Sequence, residues 1–218
     1  MERSLGLRER KKLETKHRLG DVAARLFAER GFDAVSVSDV ARAADVADQT
    51  VYNYFPTKPE LVLDRADEIL ERSRRVVAER AEDETPADAV RVLVHEDIER
   101  FTTGDPALAR GEFPAQSLQS DILRRYALEF RHDQAEAIAA ALVETDPALP
   151  LLVARIHAGS LVTVVHAVTE RIGAAVLDDA DRETAAAELR ADADTALDDA
   201  AENFRATVTR VRSRRPRA

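Results

Sequence analysis

The chain has 218 residues, 45% of them hydrophobic and 33% charged, with a formal net charge of −9. That composition argues against intrinsic disorder and allows one substantial core with room for a second, smaller one. The absence of cysteine excludes a disulfide scaffold, a Cys-ligated zinc, an iron–sulfur centre and a thiol nucleophile, and 7 glycines and 8 prolines are too few to punctuate a β-sandwich or a doubly wound sheet. Long stretches rich in Ala, Arg, Glu, Asp and Leu predict an all-α protein.

The first residues, MERSLGLRERKKLETKHR, carry no apolar run or small-residue cleavage site, and Glu2, Glu9 and Glu14 do not fit an acid-poor transit peptide, so a cytoplasmic location is expected. The most apolar window, Leu149 to Val168, is interrupted by Arg155, His157 and His166 and is read as a buried helix, with no membrane partner. Charge is unevenly spread. Residues 1–58 hold 11 Lys+Arg against 9 Asp+Glu, whereas residues 59–218 hold 21 against 32, and all four lysines (Lys11, Lys12, Lys16, Lys58) lie in the first part. Residues 1–20 alone have seven basic and three acidic side chains, either a basic arm suited to a DNA backbone or a solvated helix start.

Taken in chain order, Leu19, Val22, Ala23, Leu26 and Phe27 recur at helical intervals and Gly31 supplies a stop, predicting a first helix from about Arg8 to Arg30. Ser36-Val37-Ser38-Asp39 has the pattern of a capping box and opens a short second helix. The chain turns through Ala44-Asp45-Val46-Ala47 into a third helix that ends before Pro56, with Val51 and Phe55 inward and Asp48, Gln49, Tyr52 and Asn53 outward. Thr57-Lys58-Pro59-Glu60 opens a long helix, and proline behind a capping residue at Thr85, Asp105 and Asp146 helps delimit further helices at about 86–102, 106–116, 118–144, 147–173 and 181–211. The total is about nine helices and no strand. We divide the chain into residues 1–56, residues 57–211 and a basic tail 212–218 containing Arg212, Arg214, Arg215 and Arg217.

Two helices joined by a tight turn, the second short and bearing exposed Gln, Tyr and Asn, form a helix-turn-helix pattern whose second helix can enter a DNA major groove. A helical hairpin with a polar outer face would share the periodicity. The residue types favour DNA: Asn and Gln can bond adenine edges, Tyr can pack on a thymine methyl or bond phosphate, and Asp48 can accept from cytosine N4.

The strings LFAERGF (Leu26 to Phe32), SVSDVARAADV (Ser36 to Val46) and TVYNYFPTK (Thr50 to Lys58) closely resemble the DNA-binding domain of the TetR family of bacterial transcription regulators, over about residues 8–70. The resemblance implies an all-helical homodimer with a three-helix DNA-binding head. It also implies a C-terminal body that binds a small effector and dimerises through its last two long helices. Carried over position by position, it places Gln49 and Tyr52 at base contacts, with Ser38 near the bases and Asp48 adjacent; Asn53 joins them as an exposed amide on the same helix. Thr50, Tyr54 and Lys58 match phosphate-holding positions, and Ser36 matches the phosphate-facing cap of the second helix. Two positions depart from the pattern: Asp45 stands where glycine is usual in the turn, and Ala47 where a serine normally caps the recognition helix.

The rest of the chain carries no ligand-specific signature, and no cofactor, metal or catalytic group is expected. Polar residues His95, Arg110, Gln116, Tyr126, Arg131, His132 and His157 are the candidates to line an effector pocket. Ile156 to Val168, with Gly159, Ser160 and Thr163, together with Leu189, Leu197, Phe204 and Val208, is the candidate dimer seam. The expected function is a dimeric repressor that releases a palindromic operator when an effector binds, with an activator of the same fold as the alternative. An all-α enzyme using His95 with Glu96 and Asp97, or His157 with His166, lacks any recognised catalytic spacing. A helical interaction module without DNA binding would leave Tyr52, Tyr54 and the lysines without a purpose.

Overall fold

A computed structural model describes residues 6–213, and its regular structure consists of ten α-helices and one 3₁₀ turn. Residues 1–5 of the basic arm and residues 214–218 of the expected tail lie outside the described residues. Helix α1 (Leu7–Arg30) closes at Gly31, whose φ of 78° is the left-handed conformation anticipated for that stop. Helix α2 (Val37–Ala43) has the anticipated capping box, with the Ser36 side chain on Asp39 N and the Asp39 carboxylate returning to Ser36 N. Helix α3 (Asp48–Tyr54) follows a turn in which Asp45 adopts φ 54°, and Ala47 caps it without any side-chain hydrogen bond.

The long helix expected from Thr57 does not form in one piece. Only half of the expected box forms: Thr57 donates from N and Oγ1 to Glu60 Oε1 at 3.2 and 2.7 Å, but Lys58, without a side-chain bond, stands at the cap of a 3₁₀ turn (Pro59–Leu61), and helix α4 begins later (Ala66–Ala78). The reason is burial: Leu61, Val62 and Leu63 are all withdrawn from solvent. Three successive residues spread over most of a helix circumference, so one helical face cannot bury them together.

Helix α5 (Pro86–Thr103) starts at a second capping box on Thr85 and Asp88. The helix expected at 106–116 divides into α6 (Pro106–Ala109) and α7 (Phe113–Gln119), which makes ten helices out of nine. Helix α8 (Asp121–Thr145) is capped by Ser120. Helix α9 (Leu151–Leu177) starts later than expected, behind Pro150, because Asp146 instead accepts from Ala148 N at 3.1 Å in a turn that buries Leu149. Helix α10 (Arg182–Ser213) ends the described chain and includes Arg210 and Arg212. By length and composition α9 could cross a membrane; here Ala154, Ala158, Leu161, Val162 and Val165 are buried in the main core.

Two apolar clusters organise the packing. The larger joins α5, α8, α9 and α10 around Ile98, Ile138, Leu142, Leu161, Leu189 and Leu197. The smaller gathers Leu19, Phe27, Val40, Val51 and Phe55 from α1–α3, and it also takes in Leu61–Leu63, Phe113 of α7 and Leu123, Ala127 and Phe130 of α8. Helix α7 is wedged between the two. A Cβ at Gly111 would overlap the Ala24 carbonyl of α1, and one at Gly173 would overlap the Pro114 carbonyl, so both glycines permit backbone approaches that any side chain would block. Gln116, only 2% exposed, accepts from Phe32 N at 2.8 Å and donates to Arg110 O at 2.6 Å and Phe27 O at 3.3 Å. It thereby satisfies the backbone at the end of α1 from a position 84 residues further along the chain.

Truncating Gln116 to Ala leaves the buried Phe32 N–H unpaired and is expected to cost about 1–3 kcal/mol. Gly111→Ala, which forces the α6–α7 turn away from α1, is expected to cost a similar amount. Urea unfolding of both variants checks this, and wild-type stability in either would show that the wedge is dispensable.

Candidate nucleic-acid interface and the cavity behind it

Helix α3 has two unlike sides. Val51 is buried and Phe55 follows it into the core, whereas Asp48, Gln49, Tyr52 and Asn53 form an exposed face with no other element packed over it, and Tyr52 is 46% exposed. Thr50 and Tyr54, one turn apart, flank that face and are half-buried. Short-range bonds order the polar groups. The Ser38 hydroxyl at the start of α2 donates to Asp48 Oδ2, and Gln49 Nε2 donates to Asn53 Oδ1 at 3.1 Å. Ser38 and Asp48 are therefore one unit across the turn, and Gln49 and Asn53 another along the helix.

Two expected phosphate positions look different in three dimensions. Both the hydroxyl and the N–H of Ser36 are already bonded to the Asp39 carboxylate, at 2.6 and 2.9 Å, and those bonds hold the Asp39 carboxyl below its usual range. Lys58 Nζ lies 4.1 Å from the Phe32 ring centroid, and desolvation there pulls its pKa down. The cations that stay exposed near the start of α1 are Arg8, Arg10, Lys11 and Lys12.

The family model for bacterial regulatory proteins of the tetR family matches residues 19–64, which contain α2, the turn and α3. Over those residues the chain is similar to the DNA-binding part of the tetR family. Over 49 residues the chain is 47% identical to the putative mycofactocin biosynthesis transcriptional regulator MftR of Mycobacterium tuberculosis, and over 50 residues it is 46% identical to the HTH-type transcriptional repressor KstR2 of Rhodococcus jostii. Those matches cover 22% and 23% of the chain, and 25% and 22% of the two relatives. The chain thus spans about a quarter of the curated relatives it matches. Across almost its whole length it has the fold of the transcriptional regulator FadR of Bacillus subtilis, solved with stearoyl-CoA, at 21% identity with a TM-score of 0.54 over 85% of this chain and 97% of that one. The family is one of transcription regulators, not enzymes. The residue groups weighed for catalysis point to different partners: His95 to Asp194, Glu96 to Arg72, Asp97 to Arg100, and His157 edge-on to Phe204.

Behind the DNA-binding helices lies a cavity of about 300 Å³, bounded by α1, the Leu61–Arg65 segment, α5, α7, α8 and α9. Its walls are largely apolar, with Leu61, Val62, Ile69, Phe101, Phe113, Phe130 and Ile172 among them, and its polar groups include Asp64, Asp97, Glu112, Gln134 and His166. None of the six residues chosen from the sequence for an effector pocket is on this wall, nor is His132. His95 is bound to Asp194 at 2.8 Å, Arg110 to Asp179 at 2.7 Å, and Arg131 to Glu170. Gln116 is the clasp described above, Tyr126 packs beside the smaller core where desolvation raises its pKa to about 12, and His157 packs on Phe204. The missed residues had one legible signal: three consecutive apolar side chains at 61–63 inside a supposed amphipathic helix.

At the inner end of the cavity Ser73, Gln134 and His166 form a buried chain. Gln134 Nε2 donates to Ser73 Oγ at 2.9 Å, so its Oε1 receives the His166 Nε2–H at 3.1 Å. Burial, with Arg131 nearby, pushes the His166 pKa down to about 3. Asp64, Asp97 and Glu112 are pushed up by desolvation. Glu112 is exposed as a residue, yet the protein around its carboxyl withdraws enough water to raise it too.

Ala47→Ser restores the missing cap of α3 and is expected to stabilise the chain by about 1 kcal/mol in urea unfolding. For His166 the unfolded state binds the proton first on acidification, so stability falls as pH drops through the unfolded pKa. Between about pH 7.5 and about pH 5 the wild type should lose roughly 2 kcal/mol more than a His166→Gln variant, measured by unfolding at both values.

Proposed function

We propose that this chain is a dimeric transcriptional repressor acting in the cytoplasm, which binds a palindromic operator and releases it when a small molecule enters the cavity. The observation that carries the reading is the uncovered face of α3, with Gln49, Tyr52 and Asn53 exposed opposite buried Val51, inside the segment matched by the family model. An amide pair and a tyrosine presented together suit adenine edges and thymine methyl groups. Ser38, Asp48 and Asn53 complete the base-facing set, while Thr50, Tyr54, Lys58, the cap at Ser36 and the basic start of α1 address the phosphates. Residues 1–56 form the DNA-binding head in this reading, and residues 57–211 the effector-binding and dimerising body.

The cavity supports the effector half of the proposal because head and body share its wall. Gly20, Asp21 and Ala24 of α1 and the Leu61–Arg65 segment face a ligand from one side, and α5, α8 and α9 from the other. A ligand that wedges these apart tilts α1, and with it α3. Two recognition helices must stand about 34–36 Å apart to meet successive major grooves, so a small tilt in each head breaks the fit. Reciprocity requires DNA to weaken effector binding by the same factor.

The dimer surface in this reading is the outer stripe of α9. Leu152 and Ile156 are 71% and 60% exposed, and Gly159, Ser160 and Thr163 continue the stripe with small side chains. The seam expected from α10 is revised: Leu189, Leu197 and Phe204 are buried within one copy of the chain, so they serve its own core.

Binding assays on the selected operator and on random DNA test the proposal. Tyr52→Ala should narrow the difference between the two by about 1–3 kcal/mol. Lys58→Ala should weaken both alike and lower the salt slope by about one unit. Unchanged discrimination in Tyr52→Ala would show that α3 does not read the bases.

A further inference from the structure

We propose that the cavity between α1, the Leu61–Arg65 segment and α9 takes a protonated amine on an apolar, aromatic-sized body, and that Asp64 and Glu112 hold its charge. The inference rests on the cavity being the effector site, and deepens that reading by naming the ligand's chemistry. Asp64 and Glu112 each have no hydrogen-bond or ion-pair partner among the described residues, although both line the cavity and are close enough to repel one another. When ionised, both can only accept.

A third acceptor lies deeper. His166 is 4% exposed and neutral, and because its Nε2–H is given to Gln134 Oε1, its Nδ1 is left with a lone pair and no partner among the described residues. The wall's donors are largely committed elsewhere. Arg182 Nη1 is held by Phe101 O and Gly104 O, each at 3.0 Å, and Arg100 pairs with Asp97 at 3.2 Å while most of its side chain stays in solvent. The Thr169 hydroxyl donates to Val165 O at 2.9 Å. Arg65 is the one cation of the wall without a hydrogen-bond or ion-pair partner among the described residues, and it is exposed.

A ligand that fills this space must therefore bring hydrogen-bond donors and positive charge. A carboxylate or phosphate would meet two carboxylates and a lone pair, and of the three wall arginines that act on Glu112 (Arg65, Arg100 and Arg182) only Arg65, which also acts on Asp64, is not held by another partner. Phe101, Phe113 and Phe130 give the apolar body of an amine its surface; the Arg182 guanidinium already lies over Phe101, 5.4 Å from its centroid, so a ligand cation is left the Phe113 and Phe130 rings. The volume of about 300 Å³ excludes a bare metal ion as the occupant that would fill it and sits at the small end of ligand pockets.

Three probes of one shape and different charge test this on the full chain without DNA: phenylbutylamine, phenylbutanol and phenylbutyrate, by titration calorimetry. The amine should bind most tightly and the carboxylate least. Glu112→Gln, which keeps the size of the side chain, should weaken the amine about tenfold or more and leave the alcohol nearly unchanged. Asp64→Asn should do the same, and melting curves of both variants show whether they fold. Phenylbutyrate binding as tightly as the amine, an unaltered amine affinity in Glu112→Gln, or binding of none of the three would each overturn the proposal. Release of operator DNA is read separately. An amine that binds but leaves the DNA complex intact removes the effector reading and keeps the cation site, whereas a carboxylate that binds and releases DNA does the reverse.

Discussion

Gln116 is the joint through which the end of α1 and the segment around α7 hold each other. One buried side chain accepts from Phe32 N and donates to Phe27 O, closing the backbone at the end of α1, and binds Arg110 O in its own loop. Buried amide groups must be paired, and here the pairing for the first helix is supplied by a residue more than eighty positions away. The close approaches at Gly111 and Gly173 have the same effect, since they seat the α6–α7 turn on α1 and α7 on α9. The smaller core is consequently not a property of the first three helices alone. It is completed by Phe113, Leu123, Ala127 and Phe130.

That shared construction explains why the cavity lies where it does. The Leu61–Leu63 segment leaves helical geometry to bury three side chains in succession, and the space between it, α1 and α9 is bounded by both ends of the molecule. Any occupant touches the support of the DNA-binding helices and the core of the remaining chain at once. Coupling between two sites requires an element whose position both can bias. Helix α1 meets that description, since its later turns line the cavity and its packing partners α2 and α3 carry the exposed polar face.

The exposed face of α3 shows a further economy. Asp48 is tied to Ser38 and Gln49 to Asn53, so the groups are ordered before any DNA arrives. Ordering long polar side chains in advance reduces the entropy lost on binding. The absent cap at Ala47 and the left-handed Asp45 are local costs at the same turn.

Much of this was legible in the sequence, because the signals are local. Capping boxes at Ser36 and Thr85, the stop at Gly31 and the spacing of Val51 and Phe55 fix where helices begin, end and face, and each depends on residues within a few positions of one another. The strings from Leu26 to Lys58 pointed to the family for the same reason. What the tertiary structure alone decided is which polar side chains meet. The sequence suggested His95, Arg110, Gln116 and Arg131 for a pocket, and each proved committed to a partner far along the chain, from Asp194 to Phe32. The break at Leu61–Leu63, the inward turn of Leu189 and Phe204, and the acceptor-lined cavity likewise follow from long-range packing. Periodicity sets the face on which a side chain lies; only the neighbouring helix decides whether that face meets core, partner or empty space.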